Sequence, residues 1–213
     1  MSDPGQQSTT HPVQYEAVFE AQRSRLTTFF RVIMVIPHLV LLALWGIAVY
    51  VTTVVAWFAI LITGHYPTGL WGFAERFFVY SGRVNGYFGL LTDVYPPFGA
   101  DGDYPVQVTA QRFDRQSRPK TLFRYILVIP AAIGAYLLGI AQNAVTFLAW
   151  LVILFTGKMP LPLQNFILFV HRFSVRTTAY ALLLVDAYPS FAEGDVAVGG
   201  GTTGADPAAP PVW

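Results

Sequence analysis

The sequence contains no cysteine and few charged residues. Without cysteine, disulfide bonds, thiolate metal sites and thiol nucleophiles are excluded, whatever the compartment. Charged residues make up 12% of the 213 residues, about half of the roughly 25% that is usual in soluble globular domains. The net charge of +1 argues against a nucleic-acid partner, because binding DNA or RNA requires a clustered basic surface.

Two long apolar runs are the most prominent feature of the sequence. They cover residues 32–64 and 125–157, and neither contains an Asp, Glu, Lys or Arg. A membrane span needs about 20 predominantly apolar residues, and each run exceeds that length. The first residues lack the basic segment and short apolar core of a secretory signal, so the first run is expected to direct insertion. We predict a multi-pass protein of the plasma membrane, with the lipid bilayer as a partner.

The two runs belong to an internal duplication. At a constant offset of 93 residues, Pro37 falls on Pro130 and Trp57 on Trp150. Duplications of this kind are typical of pseudo-symmetric membrane folds. The duplication predicts four regions: a disordered tail, repeat 1, repeat 2 and a second disordered tail, over residues 1–11, 12–99, 100–191 and 192–213.

Each repeat opens with a candidate β-strand. In residues 13–20, Val13, Tyr15, Ala17 and Phe19 alternate with polar or smaller residues, and residues 106–111 show the same period of two. That period is typical of a half-buried strand. We predict that the two strands pair into a small two-stranded sheet at the membrane surface.

Basic side chains precede both apolar runs. Arg25 and Arg31 lie before the first run, and Arg118 and Arg124 occupy the equivalent positions before the second. Such residues are typical anchors at the membrane interface, where they set orientation. The alternative is a binding site for anionic lipid head groups.

A less apolar segment follows each run, over residues 70–91 and 163–185. If both basic segments face the same compartment, each repeat must cross the membrane an even number of times. We therefore predict a mainly α, polytopic fold with four transmembrane helices in two parallel hairpins, in which Gly82-x-x-x-Gly86 allows close helix packing. The alternative is one span and one interfacial helix in each repeat, which would make the two repeats inverted relative to each other.

Charged and polar residues inside these apolar segments are the candidate site. Arg83 and Arg176 are equivalent in the two repeats, and a charge inside an apolar segment is costly unless it has a partner. With Asn85, they predict a ligand site for an anion or lipid phosphate on the pseudo-twofold axis. The alternative is a buried pair with a carboxylate or with helix-end carbonyls. Gln142 and Asn143 either line a cavity or form interhelical hydrogen bonds.

Other signs of catalysis or cofactor binding are missing. The sequence has no Gly-x-Ser-x-Gly, Walker or His-Glu-x-x-His pattern. Its four histidines fall at positions that are not equivalent in the two repeats, which disfavours a symmetric haem or metal site. We predict that the protein is not an enzyme and has no cofactor.

Several motifs resemble a known family. The segments W-F-A-I-L-I-T-G-H-Y-P-T-G-L, R-V-N-G-Y and L-L-T-D-V-Y-P-P-F are similar to an actinobacterial integral membrane protein family known only as domain of unknown function 4389, here in two tandem copies. The second copy is more degenerate, with Ala131 in place of His38. The resemblance implies a membrane location and a repeat, and it implies no activity.

These observations lead to two functional hypotheses. The first is an accessory or scaffold subunit of a cell-envelope complex, with a second copy or another membrane protein as partner. The second is a transporter or a lipid- or anion-binding protein whose site lies between the repeats.

Overall fold

The computed structural model describes residues 11–191. The elements in chain order are β1 (Val13–Ala17), α1 (Arg25–Thr63), α2 (Thr68–Phe88), β2 (Val106–Ala110), α3 (Arg118–Thr156) and α4 (Leu161–Ala181). The predicted mainly α fold, with two repeats and a two-stranded sheet, is confirmed. The disordered tails predicted for residues 1–11 and 192–213 lie outside the described residues, except for His11.

The two long helices are bounded in the same way. Each has 39 residues, follows a serine (Ser24 or Ser117) and ends at a glycine in the left-handed conformation, Gly64 (φ 78°) or Gly157 (φ 72°). The Ser24 side chain accepts a hydrogen bond from a backbone N–H in the first turn of α1. Pro37 lies inside α1, because the cap at Ser24 places the first turn of the helix within the basic segment.

The elements are stacked in three layers. The sheet packs on α2 and α4, and α2 and α4 pack in turn on α1 and α3 respectively. Alternate strand residues, including Val13, Tyr15, Val106 and Val108, are buried against the helices, and the residues between them are exposed. The middle layer of α2 and α4 therefore has neighbours on both sides, whereas α1 and α3 have an uncovered outer face.

A pseudo-twofold axis relates the two repeats. β1 and β2 are antiparallel, and Tyr15 lies opposite Val108, its own equivalent at the offset of 93 residues. The long helices are also antiparallel: Trp57 Nε1 donates to the Thr121 carbonyl at 2.8 Å, and Trp150 Nε1 donates to the Thr28 carbonyl at 3.0 Å. The predicted parallel arrangement of the hairpins is wrong, because antiparallel pairing of equivalent strands reverses one repeat relative to the other.

Two of the four helices in residues 11–191 are long and apolar enough to cross a membrane, and these are α1 and α3. Only 17% and 11% of the residues in their most apolar stretches are buried within the protein. Large apolar side chains are exposed along the whole of α1 from Leu26 to Ile62, including Ile47 at 65%. The helices α2 and α4 are not among those long and apolar enough to cross a membrane. The prediction of four spans is therefore supported only for the two long helices.

The glycine pair of α2 packs against the sheet and not against another helix. A Cβ atom at Gly82 would lie 2.7 Å from Val108 Cγ2, and one at Gly86 would lie 2.7 Å from the Tyr15 hydroxyl. Tyr15 also donates a hydrogen bond to the Gly82 carbonyl at 3.1 Å. The predicted role in helix–helix packing is therefore corrected: the missing side chains admit the strands.

Candidate functional site

An internal ion pair links the start of α1 to the segment that follows α2. Arg31 is buried, and its Nη2 donates to Asp93 Oδ1 at 2.5 Å while its Nη1 donates to the Thr92 carbonyl at 2.8 Å and to the Tyr87 carbonyl. The guanidinium carbon lies 4.3 Å from the centre of the Tyr87 ring. Asp93 Oδ2 accepts the backbone N–H of Ser24 at 2.7 Å. The Asp93 carboxylate therefore links the two helices of the hairpin and also binds Ser24, the residue that precedes α1.

The second repeat contains the same arrangement. Arg124 is fully buried, forms an ion pair with Asp186 and donates to the Val185 carbonyl at 2.9 Å. Asp186 Oδ2 accepts the Ser117 N–H at 2.7 Å. Arg31 and Arg124 therefore have partners within their own repeats, and their predicted contact with lipid head groups stays a prediction.

The other two predicted anchors are exposed at the ends of the bundle. The position of a Cβ on Gly157 lies 3.3 Å from Arg25 Nε, and that of a Cβ on Gly64 lies 3.5 Å from Arg118 Nε. Each guanidinium thus lies beside the C-terminus of the other repeat's long helix, where the helix dipole favours a positive charge. This position leaves both side chains available to head groups.

Arg83 and Arg176 bind backbone carbonyls of the segments that follow their helices. Arg83 Nη1 donates to the Asp101 carbonyl at 2.9 Å, and its Nη2 donates to the Gly102 carbonyl at 2.7 Å. Arg176 Nη1 donates to the Ser190 carbonyl at 2.8 Å. The sequence left carbonyl partners open as an alternative, but these carbonyls lie beyond the helices and not at helix ends. Neither arginine lines the cleft between the repeats. The ligand-binding role of the two arginines stays a prediction.

A polar cleft does lie between the repeats. It has a volume of about 230 Å³ and is bounded by α2, α3 and α4. Asn85, Gln142 and Asn143, which the sequence analysis singled out, all line it. The other polar groups in its wall are Ser81, His171, Ser174 and Thr178. Its donors and acceptors are uncharged apart from any proton on His171, so it suits water or a small neutral polar group better than an anion.

His171 is the titratable group of this cleft. Its Nδ1 lies 3.0 Å from the Ile167 carbonyl and its Nε2 lies 3.1 Å from the Asn85 carbonyl, so a neutral ring donates to only one of them. Burial lowers the pKa of His171, and the two carbonyls offset part of that effect. Phe78 occupies the equivalent position in repeat 1, which explains why the offset comparison did not mark His171 as a site residue.

A buried histidine–tyrosine pair is confined to repeat 1. His38 Nδ1 and the Tyr80 hydroxyl are 2.5 Å apart, and the rings of Tyr95 and Phe98 pack on the imidazole. In repeat 2 the histidine is Ala131 and the tyrosine is Phe173, so both polar groups of the pair are absent together. This joint replacement was visible at the offset of 93 residues and was missed.

Two apolar grooves lie where one long helix begins and the other ends. Each has a volume of about 370 Å³. The first lies between Val32 and Trp150, and the second lies between their equivalents, Tyr125 and Trp57. Both grooves have predominantly apolar walls, although Arg31 contributes to the first. They are therefore suited to hydrocarbon.

Within residues 11–191, no group of three His, Cys, Asp or Glu side chains could hold a metal ion. The site features with a clear structure are the two ion pairs, the polar cleft and the apolar grooves. In the polar cleft, both ring nitrogens of His171 face the backbone carbonyls of Ile167 and Asn85 and not a serine or threonine hydroxyl.

The family of the chain follows from the comparison with family models. No curated protein and no solved structure matches this chain. A family model described as a domain of unknown function (DUF4389) matches residues 25–100 and again residues 118–193. The two matches together cover more than half of the chain and coincide with the two helical hairpins. The chain therefore belongs to the DUF4389 family and carries its domain in two tandem copies.

Proposed function

We propose that the protein is a non-enzymatic integral membrane protein that acts as an accessory or scaffold subunit of a cell-envelope complex. In this proposal α1 and α3 hold it in the plasma membrane, and the sheet side contacts the partner. The observation that carries the proposal is the contrast between the two outer layers of the molecule.

One outer layer is apolar and the other is polar. The outer faces of α1 and α3 expose apolar side chains along their length, and a surface of this extent on a soluble monomer would be a liability for aggregation. The sheet instead exposes Gln14, Glu16, Gln107 and Thr109. Within residues 11–191 no further strand pairs with the outer edge of either strand, although Arg172 donates to the Tyr15 carbonyl at the edge of β1. Open strand edges are a common docking site for an extended segment of another protein.

The proposal also accounts for α2 and α4. These helices are less apolar than α1 and α3 and are covered by the sheet on one side. Charged residues in them, such as Arg83 and Arg172, bind backbone carbonyls within the protein. Their role in the proposal is to join the membrane layer to the polar layer.

Photocrosslinking in native membranes tests the proposal. A benzoylphenylalanine at Gln14 or Gln107 should give a discrete protein adduct, whereas the same group at Ile47 should give no protein adduct. The protein should also remain in the membrane pellet after carbonate extraction. Release by carbonate would contradict membrane integration, and a protein adduct at Ile47 with none at the sheet would contradict the assignment of the partner surface.

A second candidate function is a binding protein for a small ligand between the repeats. The polar cleft supports it, because polar side chains from α2, α3 and α4 converge there within an otherwise apolar molecule. Native mass spectrometry of the purified protein should then show a bound molecule that is lost in Gln142→Leu.

Two further variants separate the cleft from the arginines. In this second candidate, Arg83→Ala and Arg176→Ala should destabilise the protein but retain the bound molecule, since neither arginine lines the cleft. Loss of the molecule from a folded Arg83→Ala or Arg176→Ala protein would instead favour the anion site predicted from the sequence.

A further inference from the structure

We infer that α1 and α3 lie in the plane of the bilayer, with their exposed faces among the acyl chains of one leaflet. The sheet and both ends of each long helix are then in water on the same side of the membrane. This inference rests on the proposed membrane integration and adds the orientation and the occupant of the exposed face.

The pseudo-twofold axis carries the first step. The axis reverses the direction of α1 to give that of α3, and it passes through the sheet at the pair Tyr15 and Val108. If the two helices crossed the bilayer in opposite directions, an axis relating them would lie in the membrane midplane. The sheet, which lies on that axis, would then be at the centre of the hydrocarbon.

The sheet is unsuited to that position. Its outward residues are Gln14, Glu16, Gln107 and Thr109, and within residues 11–191 the outer edge of each strand pairs with no further strand. Hydrocarbon offers no partner for open strand edges, and a carboxylate such as that of Glu16 is costly there. With the axis along the membrane normal, the same sheet lies in water, above the middle layer of α2 and α4.

The length of the apolar face carries the second step. From Leu26 to Ile62 the exposed apolar residues extend over about 54 Å of α1 at 1.5 Å per residue. The hydrocarbon core is about 30 Å thick, and spanning helices tilt by up to about 40°. Even at that tilt, the apolar face would rise about 41 Å along the membrane normal, about 11 Å more than the thickness of the hydrocarbon core. A helix that lies flat occupies a depth of hydrocarbon equal to its own diameter, about 10 Å. One leaflet of the bilayer is thick enough to hold it.

The grooves and the basic residues indicate that lipid, and not a second protein, covers this face. The two apolar grooves, each of about 370 Å³, lie beside the exposed side chains Val32 and Tyr125 and have predominantly apolar walls. Arg25 and Lys158 are exposed at one end of the bundle, and Arg118 and Lys120 are exposed at the other. A flat orientation brings all four charges to one membrane surface, where they complement anionic head groups.

The flat orientation also resolves the crossing argument from the sequence. Both basic segments face one compartment, as the bias of basic residues requires. This no longer demands that α2 and α4 cross the bilayer, because no helix crosses it.

Labelling of single introduced cysteines tests the inference. The unsubstituted chain contains no cysteine and is the negative control. His65→Cys and Lys158→Cys mark the two ends of the bundle, and Gln107→Cys marks the sheet. A membrane-impermeant maleimide, applied to sealed vesicles of both orientations, should label all three from the same side. Labelling of His65→Cys and Lys158→Cys from opposite sides would overturn the inference while leaving the proposed membrane integration intact.

The exposed face is tested with Ile47→Cys and Ile140→Cys, which are equivalent in the two repeats. Both should resist the maleimide from either side. A fluorophore attached to them in detergent should lose most of its emission when the protein is reconstituted into vesicles of brominated-chain phosphatidylglycerol and phosphatidylcholine. Protection without quenching would mean that a second copy covers the face, and it would overturn the inference. Labelling of either cysteine in the membrane would overturn both the inference and the proposed integration.

Discussion

Arg31 and Asp93, which are 62 residues apart in the chain, form an ion pair of 2.5 Å that recurs in the second repeat as Arg124 and Asp186. The arginine side chain is 3% exposed, while the aspartate is 20% exposed. The pair joins the start of a long helix to the end of its hairpin partner. Its presence in both repeats makes it the main polar link within each hairpin.

We expect Asp93→Asn to lower the free energy of unfolding by about 3 kcal/mol, because the substitution leaves a buried guanidinium without its counter-charge. Thermal unfolding in a mild detergent measures the change. Asp101→Asn is the matched control, since the Asp101 side chain is 84% exposed in its pair with Arg76 and should contribute less than about 1 kcal/mol. Equal effects of the two substitutions would contradict the role of the buried pair.

Gly82→Ala should destabilise the protein by about 1 to 3 kcal/mol, because the added methyl group would lie 2.7 Å from Val108 Cγ2 and push the sheet from α2. Hydrogen exchange of the strand amides should increase at the same time. Gly72→Ala in the same helix meets nothing within 4 Å and should stabilise by up to about 1 kcal/mol. If Gly82→Ala were also stabilising, the close packing of the sheet on α2 would be refuted.

His38 and Tyr80 should be energetically coupled, since their polar atoms are 2.5 Å apart in a buried site. His38→Ala and Tyr80→Phe should each destabilise the protein. The double variant, which copies Ala131 and Phe173 of repeat 2, should cost about 1 kcal/mol less than the sum of the two. Unfolding of all four proteins gives this coupling, and strict additivity would exclude a hydrogen bond between the side chains.

Stability should fall in acid because of His171. Burial lowers its pKa below the ordinary value of 6.5, so below that pH the unfolded chain binds a proton that the folded protein resists. The free energy of unfolding should therefore decrease as the pH falls below about 6.5. His171→Phe, which introduces the residue of repeat 1, should flatten this dependence. An unchanged pH profile in His171→Phe would show that the acid sensitivity has another source.

The amino-acid sequence alone was sufficient to predict the helices, the strands and the family. The strands follow from an alternation of apolar residues, and the long helices follow from uncharged runs, because both signals are local. The duplication is also readable without a structure, since equivalent residues recur at one offset. The segments predicted after each run, residues 70–91 and 163–185, are indeed helices, α2 and α4.

Some features could be anticipated only in part. Arg83 and Arg176 stood out as costly charges, yet the sequence could not choose between a ligand and the carbonyls that bind them. Gln142 and Asn143 stood out as polar residues in an apolar helix, and the structure shows that they line the cleft with Asn85. In each case the residue type indicated a polar partner and the fold identified which one.

The tertiary structure alone decided how the two repeats face each other. The constant offset of 93 residues shows that the two repeats are similar. It does not show whether the symmetry axis runs along or across their helices. Antiparallel pairing of β1 with β2 sets that direction, and it places Gly82 of repeat 1 beneath the strand of repeat 2. These contacts join distant segments, so no local pattern of residues encodes them.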